Sequence, residues 1–158
     1  MSIVKIQNME KKEYDRLIRG EYIARIVFKG EKYPYIAPFL YVFDGKYMYF
    51  LSTKYGIKME YFRQNPNASV EVEKYSKDLS NYVFVVLSGR IVEVDDQHSK
   101  KYIRDHFVHL IKEKNLSKNI MIALGHSIKD PVEDLILEEK NMIWKLVDVE
   151  KIVGFKNG

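Results

Sequence analysis

Hydrophobic positions along the chain change period several times, and each change predicts an element. Over residues 1–20, Tyr14, Leu17 and Ile18 fall on one face, with Asn8 or Met9 near the start and Gly20 after the last apolar position. That pattern predicts a short amphipathic helix stopped by glycine. Ile23 to Phe28 reads as a strand and 29–32 as a turn, followed by a long strand run from Tyr33 to Phe43 that contains Pro34 and Pro38. Proline cannot donate to a ladder, so this run is expected at an edge or a bulge. Asp44-Gly45 predicts a tight turn into the aromatic strand Tyr47 to Leu51. Beyond Gly56 the period becomes helical through Ile57, Tyr61 and Phe62, and Asn65-Pro66 should end the helix at about residue 64.

In the second half, Ala68, Val70 and Val72 alternate with Ser69, Glu71 and Glu73, the signature of a half-buried strand from Asn67 to Lys74. A polar loop to Asn81 leads into a long strand pattern, Tyr82 to Asp95, in which Gly89 predicts a bulge or bend of the kind that closes barrels. Asp95-Asp96 should cap a helix with Ile103, Phe107, Leu110 and Ile111 on one face, ending near Asn115. A further short helix is expected from Asp130-Pro131, with Glu133 in the capping-box position. Met142 to Val149 returns to strand around Trp144. Hairpin-linked strands with few helices predict a mainly β (α+β) fold, an antiparallel barrel with helices packed outside, in a single domain over 1–158.

The chemistry of the chain concentrates in Ser52-Thr53-Lys54-Tyr55-Gly56-Ile57-Lys58, which joins a strand to a helix with hydroxyls, lysines and a glycine and without an acid. A cation in the first helical turn is disfavoured by the macrodipole, by about 0.3–1 kcal/mol when exposed, and a bound anion reverses that sign. Backbone N–H groups at the helix start, Lys54, Lys58 and the hydroxyls of Ser52 and Thr53 together make a phosphate site, or else a solvated basic turn. His106 and His109 share a helix face beside Asp105 without further ligand spacing, which favours a structural pair over a metal site; His126 falls in a loop.

Composition narrows the function classes. The net charge is +4, but its 26 basic and 22 acidic residues are interspersed, so no nucleic-acid-binding stripe is expected. The absence of cysteine excludes disulfides, thiolate metal sites and cysteine nucleophiles. With a polar start and no apolar run near the ~18 residues of a membrane span, the expectation is a soluble, cytoplasmic protein without a membrane partner.

Taken in order, Tyr33-Pro34-Tyr35-Ile36-Ala37-Pro38, Asp44-Gly45, Tyr49-Phe50-Leu51-Ser52-Thr53, Gly56-Ile57-Lys58, Arg63-Gln64-Asn65-Pro66 and Ser88-Gly89-Arg90 resemble the flavin-binding split-barrel superfamily of pyridoxamine 5'-phosphate oxidases and nitroimidazole-resistance flavoproteins. The resemblance implies a six-stranded antiparallel split barrel with flanking helices, a homodimer, FMN at the subunit interface and a small-molecule substrate. It implies that the flavin phosphate lies against Ser52, Thr53 and Lys58, flanked by Leu51, Lys54 and Ile57. It places the isoalloxazine edge along Ala37, Pro38, Phe39 and Leu40, with Trp144 or the loop at His126 approaching from the partner. Pyridoxamine phosphate oxidases carry arginine where Ala37 aligns and a lysine near Val42, so the nitroimidazole-resistance-like branch is the nearer resemblance. An FMN-dependent oxidoreductase is therefore the leading expectation. The alternatives are a deazaflavin or haem in the same fold, with His106, His109 or His126 as haem ligands, and a non-enzymatic flavin-binding or sensor module.

Overall fold

The computed structural model describes residues 7–137 and 139–157. Its strands are β1 (Gln7–Asn8), β2 (Ile23–Phe28), β3 (Tyr35–Phe43), β4 (Met48–Thr53), β5 (Asn67–Tyr75), β6 (Tyr82–Val94) and β7 (Asn141–Asn157). The helices are α1 (Lys11–Gly20), α2 (Ile57–Gln64), α3 (Gln97–Glu113), α4 (Asn119–Ala123) and α5 (Asp134–Leu137). The strand order β7-β4-β3-β2-β5-β6 closes on itself because β6 also pairs with β7, giving a six-stranded antiparallel barrel to which the two-residue β1 is appended.

Two apolar layers explain the burial patterns. Inside the barrel the fully buried Trp144 meets Phe62 at 4.8 Å, Phe39 at 5.5 Å and, edge-on, Phe28 at 5.8 Å between ring centroids. Outside, Leu40, Val42, Leu51 and Ile143 pack under Ile103, Phe107 and Ile111 of α3. The wall made by β3, β4 and the start of β7 is thus covered on both faces, and every residue of β4 is buried. That double cover is why the aromatic strand lacks a period of two.

The barrel is split at β3. Residues Tyr35 to Leu40 pair with β2, whereas Tyr41 to Phe43 pair with β4, so β3 exchanges one neighbour for the other halfway along. Correspondingly, Leu51, Ser52 and Thr53 pair with β7 and have no β3 partner. The prolines fit this arrangement, since Pro38 lies where β3 has a strand on one side alone and Pro34 precedes the strand. Helix α2 covers the gap, with Tyr61 stacked on Tyr35 at 5.1 Å and Phe62 on Trp144.

Gly89 sits at the expected bulge, where the β6–β7 register shifts between Ser88 and Arg90. A Cβ there would lie 2.5 Å from the Val147 carbonyl oxygen, so only glycine lets the strands approach. Across the bulge, Asp148 takes φ +50° and its carboxylate accepts from Arg90 at 2.7 Å. Asp96 caps α3 by accepting from the Ser99 N–H, and Asn115 at φ +51° ends it.

Four boundaries differ from the sequence pattern. Helix α1 begins at Lys11, with Glu10 and Glu13 forming a capping box; residues 7–8 are the strand β1, and 1–6 lie outside the described residues. Strand β7 continues to Asn157 rather than stopping at Val149, because its polar outer half pairs with β6 and β1. The short α4 had no periodic signal of its own. The Asp130-Pro131 capping box does not form either: α5 starts at Asp134, Asp130 accepts from the Ser127 N–H, and Glu133 pairs with Lys112.

Replacing Trp144 by alanine should cost about 3–5 kcal/mol of stability, since it empties the centre of the inner layer. Urea unfolding followed by circular dichroism checks this value.

Candidate functional site

Where β4 loses its β3 neighbour, the chain turns through Lys54-Tyr55-Gly56 into α2. Gly56 has φ +103° and ψ 175°, a region open essentially to glycine alone, and this sharp exit places the first turn of α2 beside the end of β4. The Thr53 hydroxyl is 3.2 Å from the Tyr55 carbonyl, to which it donates, and accepts from Lys58 Nζ at 2.6 Å. Burial holds the Lys58 ammonium below the usual lysine range. Among the described residues no carboxylate lies within ion-pair distance of it. A partly desolvated cation beside a helix start, where N–H groups lack partners within the helix, is suited to an anion.

The predicted site residues separate into two groups. Thr53 and Lys58 are joined directly, and Lys54 and Ile57 are exposed beside them, Ile57 at 56%. Ser52 is 1% exposed and its hydroxyl donates to the Thr53 carbonyl. Leu51 and Leu40 belong to the layer under α3, and Phe39 to the barrel interior. Ala37 and Pro38 lie on the stretch of β3 that has no β4 partner, leaving one backbone edge without a strand neighbour.

Trp144 requires a correction. It has 0% exposure at the centre of the barrel, and a side chain enclosed there cannot approach a ligand held by a second subunit. The His126 side chain is equally enclosed, with Nδ1 3.5 Å from Asp130 Oδ2 and neither ring nitrogen making a hydrogen bond. His109 lies on an exposed face of α3 beside Glu113, and the His106 ring packs at a tilt against Tyr102, 4.6 Å between centroids.

Two site neighbours escaped the sequence reading. Asn141 stands directly across the β4–β7 ladder from Thr53, and Arg104 of α3 donates to the Asn141 side-chain oxygen and, at 2.6 Å, to its backbone carbonyl. Arg104 did leave a signal, since it lies three and seven residues before Phe107 and Ile111 on the apolar stripe of α3. A charge on a buried face invites a structural or functional reason.

A groove of about 710 Å³ opens elsewhere, beside the bulge, lined by Lys29, Ser69, Ser88, Arg90 and Asp148 among others and by none of Ser52, Thr53 or Lys58.

Comparison with known families settles the lineage. The family model described as pyridoxamine 5'-phosphate oxidase matches residues 10–138. The chain belongs to the pyridoxamine 5'-phosphate oxidase family. Among solved structures, this family member is similar to a FAD-binding protein of Mesorhizobium loti, with 19% identity, 98% of this chain and 100% of the other covered, and a TM-score of 0.72. It is also similar to a protein of Bacteroides thetaiotaomicron described as a candidate 5-nitroimidazole antibiotic resistance protein (16% identity, 96% and 87% covered, TM-score 0.63). The haem-storage protein HutZ of Vibrio cholerae shares the fold as well, at 10% identity, 92% and 94% coverage and a TM-score of 0.67. Family membership and fold therefore agree with the split barrel. No helix among the described residues is long and apolar enough to cross a membrane.

In this family member the Gly56 turn sets where Lys58 stands. Gly56→Ala should destabilise the fold by about 1–3 kcal/mol through backbone strain alone, since open space surrounds the added methyl group. Chemical denaturation compared with Gly20→Ala, a site of ordinary φ, isolates that cost.

Proposed function

We propose that the chain binds FMN and acts as a flavin-dependent oxidoreductase on a small molecule. The observation that carries this reading is the Thr53–Lys58 pair: a partly desolvated ammonium on a hydroxyl, at a helix start, with no carboxylate among the described residues within ion-pair distance, and a β3 edge that has lost its strand partner. The pair fits a phosphate, and the free edge of β3 at Ala37 and Pro38 fits the polar rim of a flat ring.

When bound, the flavin supplies the hydride or electron transfer itself. Lys58 would hold the phosphate dianion by charge-assisted hydrogen bonds, positioned by the Thr53 hydroxyl that accepts from it. The β3 edge orients the ring through main-chain groups, while Phe39 and Leu40, fixed in the two apolar layers, keep that edge rigid. No side chain needs to serve as acid or base for this division of labour.

The reading extends to a homodimer with the flavin at the subunit interface. Supporting it, Tyr33, Ile36 and Ile57 are 68%, 58% and 56% exposed around the split, apolar area that a second copy would cover. A cytoplasmic address suits a chain without cysteine. Light scattering on the purified protein should return twice the chain mass.

Haem is the second reading, favoured by the His126 ring, whose nitrogens make no hydrogen bond, and by the similarity to HutZ. A side chain at 0% exposure would have to leave its pocket to ligate iron, which ranks this reading below flavin. Haem titration of wild type and His126→Ala, followed by the Soret band, decides it.

Absorption after FMN addition and gel filtration should show one retained flavin per chain; loss of all flavin rejects the proposal and directs attention to a deazaflavin, haem or a cofactor-free role. Lys58→Ala should weaken FMN by about 1.5–3 kcal/mol and leave riboflavin nearly unchanged.

The pH dependence follows from Lys58. Its free-state pKa lies below 10.5 and a bound dianion raises it, so binding takes up a proton between the two values. FMN affinity should fall as pH rises through that window, beginning below pH 10.5, while riboflavin affinity stays level; fluorescence titrations across the alkaline range check this.

A further inference from the structure

The buried polar residues of the described chain are Ser52, Thr53, Arg104, His126 and Asn141, and they converge on one end of the barrel. Thr53 faces Asn141 across the β4–β7 ladder, where paired Cα atoms lie about 4.5–5.5 Å apart. Asn141 Nδ2 donates to the Leu124 carbonyl, and the Gly125 backbone passes so close to Thr53 that a Cβ there would lie 3.9 Å from its Cγ2. His126 follows in the same turn.

Arg104 is the charged member of this group, at 2% exposure. Its guanidinium donates to three neutral acceptors, the Leu135 carbonyl and the two Asn141 oxygens, and its Nε has no partner. Among the described residues no carboxylate lies within ion-pair distance. Glu139 acts on it from farther away and is itself paired with Lys100 at 3.1 Å. Isolated buried cations are costly, and an apolar residue of similar volume often stabilises such a site. Arginine stays protonated even there. A charge retained on these terms, bonded to the residue that pairs with Thr53 across the ladder, calls for an anion nearby.

We propose that Arg104 is a positioning residue of the anion site: through Asn141 it fixes the end of β4 that carries Thr53, and its buried charge, together with Lys58, selects a phosphate dianion. For the identity of the ligand as FMN this rests on the reading above; for the charge of the ligand it stands on the buried cluster itself.

Two variants remove the charge in different ways. Arg104→Met deletes it, and Asn141→Asp neutralises it in almost the same volume, which keeps the test open should Arg104→Met fail to fold. Each should weaken FMN about tenfold while changing riboflavin less than about twofold, because a charge at this range acts on the phosphate and not on the neutral ring. Equal weakening of both ligands, or no change in their ratio, overturns the proposal and leaves Arg104 a structural fastener. If wild type binds no flavin, the FMN reading falls, and inorganic phosphate followed by phosphorus NMR takes over as probe. Phosphate bound by wild type and lost in the folded variant sustains the Arg104 role; phosphate not bound by wild type, or bound equally by both, overturns it.

Discussion

Strand β7 pairs along both edges, with β4 through Asn141 to Lys145 and with β6 through most of its length, and that closure fixes everything the site requires. Without it, β4 and β6 would each present an unpaired edge, and the barrel would be an open sheet prone to edge pairing. Closure also forces curvature, which the Gly89 bulge and the left-handed Asp148 absorb on opposite strands. It carries Trp144 into the barrel centre, where the inner walls and α2 meet on its ring.

The split in β3 is the complement of that closure. A short six-stranded barrel with α2 packed against Trp144 leaves no room for β3 to follow β4 along its whole length, so the two part after Tyr41 and Phe50. The end of β4 meets the start of α2 through Thr53 and Lys58, and the first residue of β3, Tyr35, stacks on Tyr61 farther along that helix. The parting of β3 and β4 leaves main-chain groups of β3 without a strand neighbour, while the end of β4 carries Thr53 to the Lys58 ammonium. The residues on either side of the split, Phe39 and Leu40 on β3 and Leu51 on β4, are buried in the two apolar layers.

Much of this could be read from residues in order. The strand–turn–helix around Ser52 to Lys58, the Gly89 bulge, the Asp96 cap and the edge placement of Pro38 each rest on local rules of backbone conformation and periodicity, and each stands where those rules put it. The failures also have a common physical origin. The family resemblance places Trp144 near a ligand, and alternation along its strand marks a residue as inward or outward without saying what lies inward. Asp130 looked like a cap because its spacing from Glu133 suits one, but the Ser127 N–H and the Lys112 ammonium competed for those carboxylates. Ser52 looked like an equal partner of Thr53, yet the pleat turns its hydroxyl back to the neighbouring carbonyl.

The sequence by itself determined the element types, the turn chemistry and the presence of a basic, acid-free strand-to-helix junction, because propensity, capping and alternation act over a few residues. Only the tertiary structure decided that Arg104 and Asn141 stand beside Thr53, that β3 exchanges neighbours halfway, and that Lys58 is partly desolvated. Those are consequences of ladder register and of which surfaces close on one another. Register couples residues as distant in the chain as Gln7 and Lys156, through contacts that no local pattern encodes.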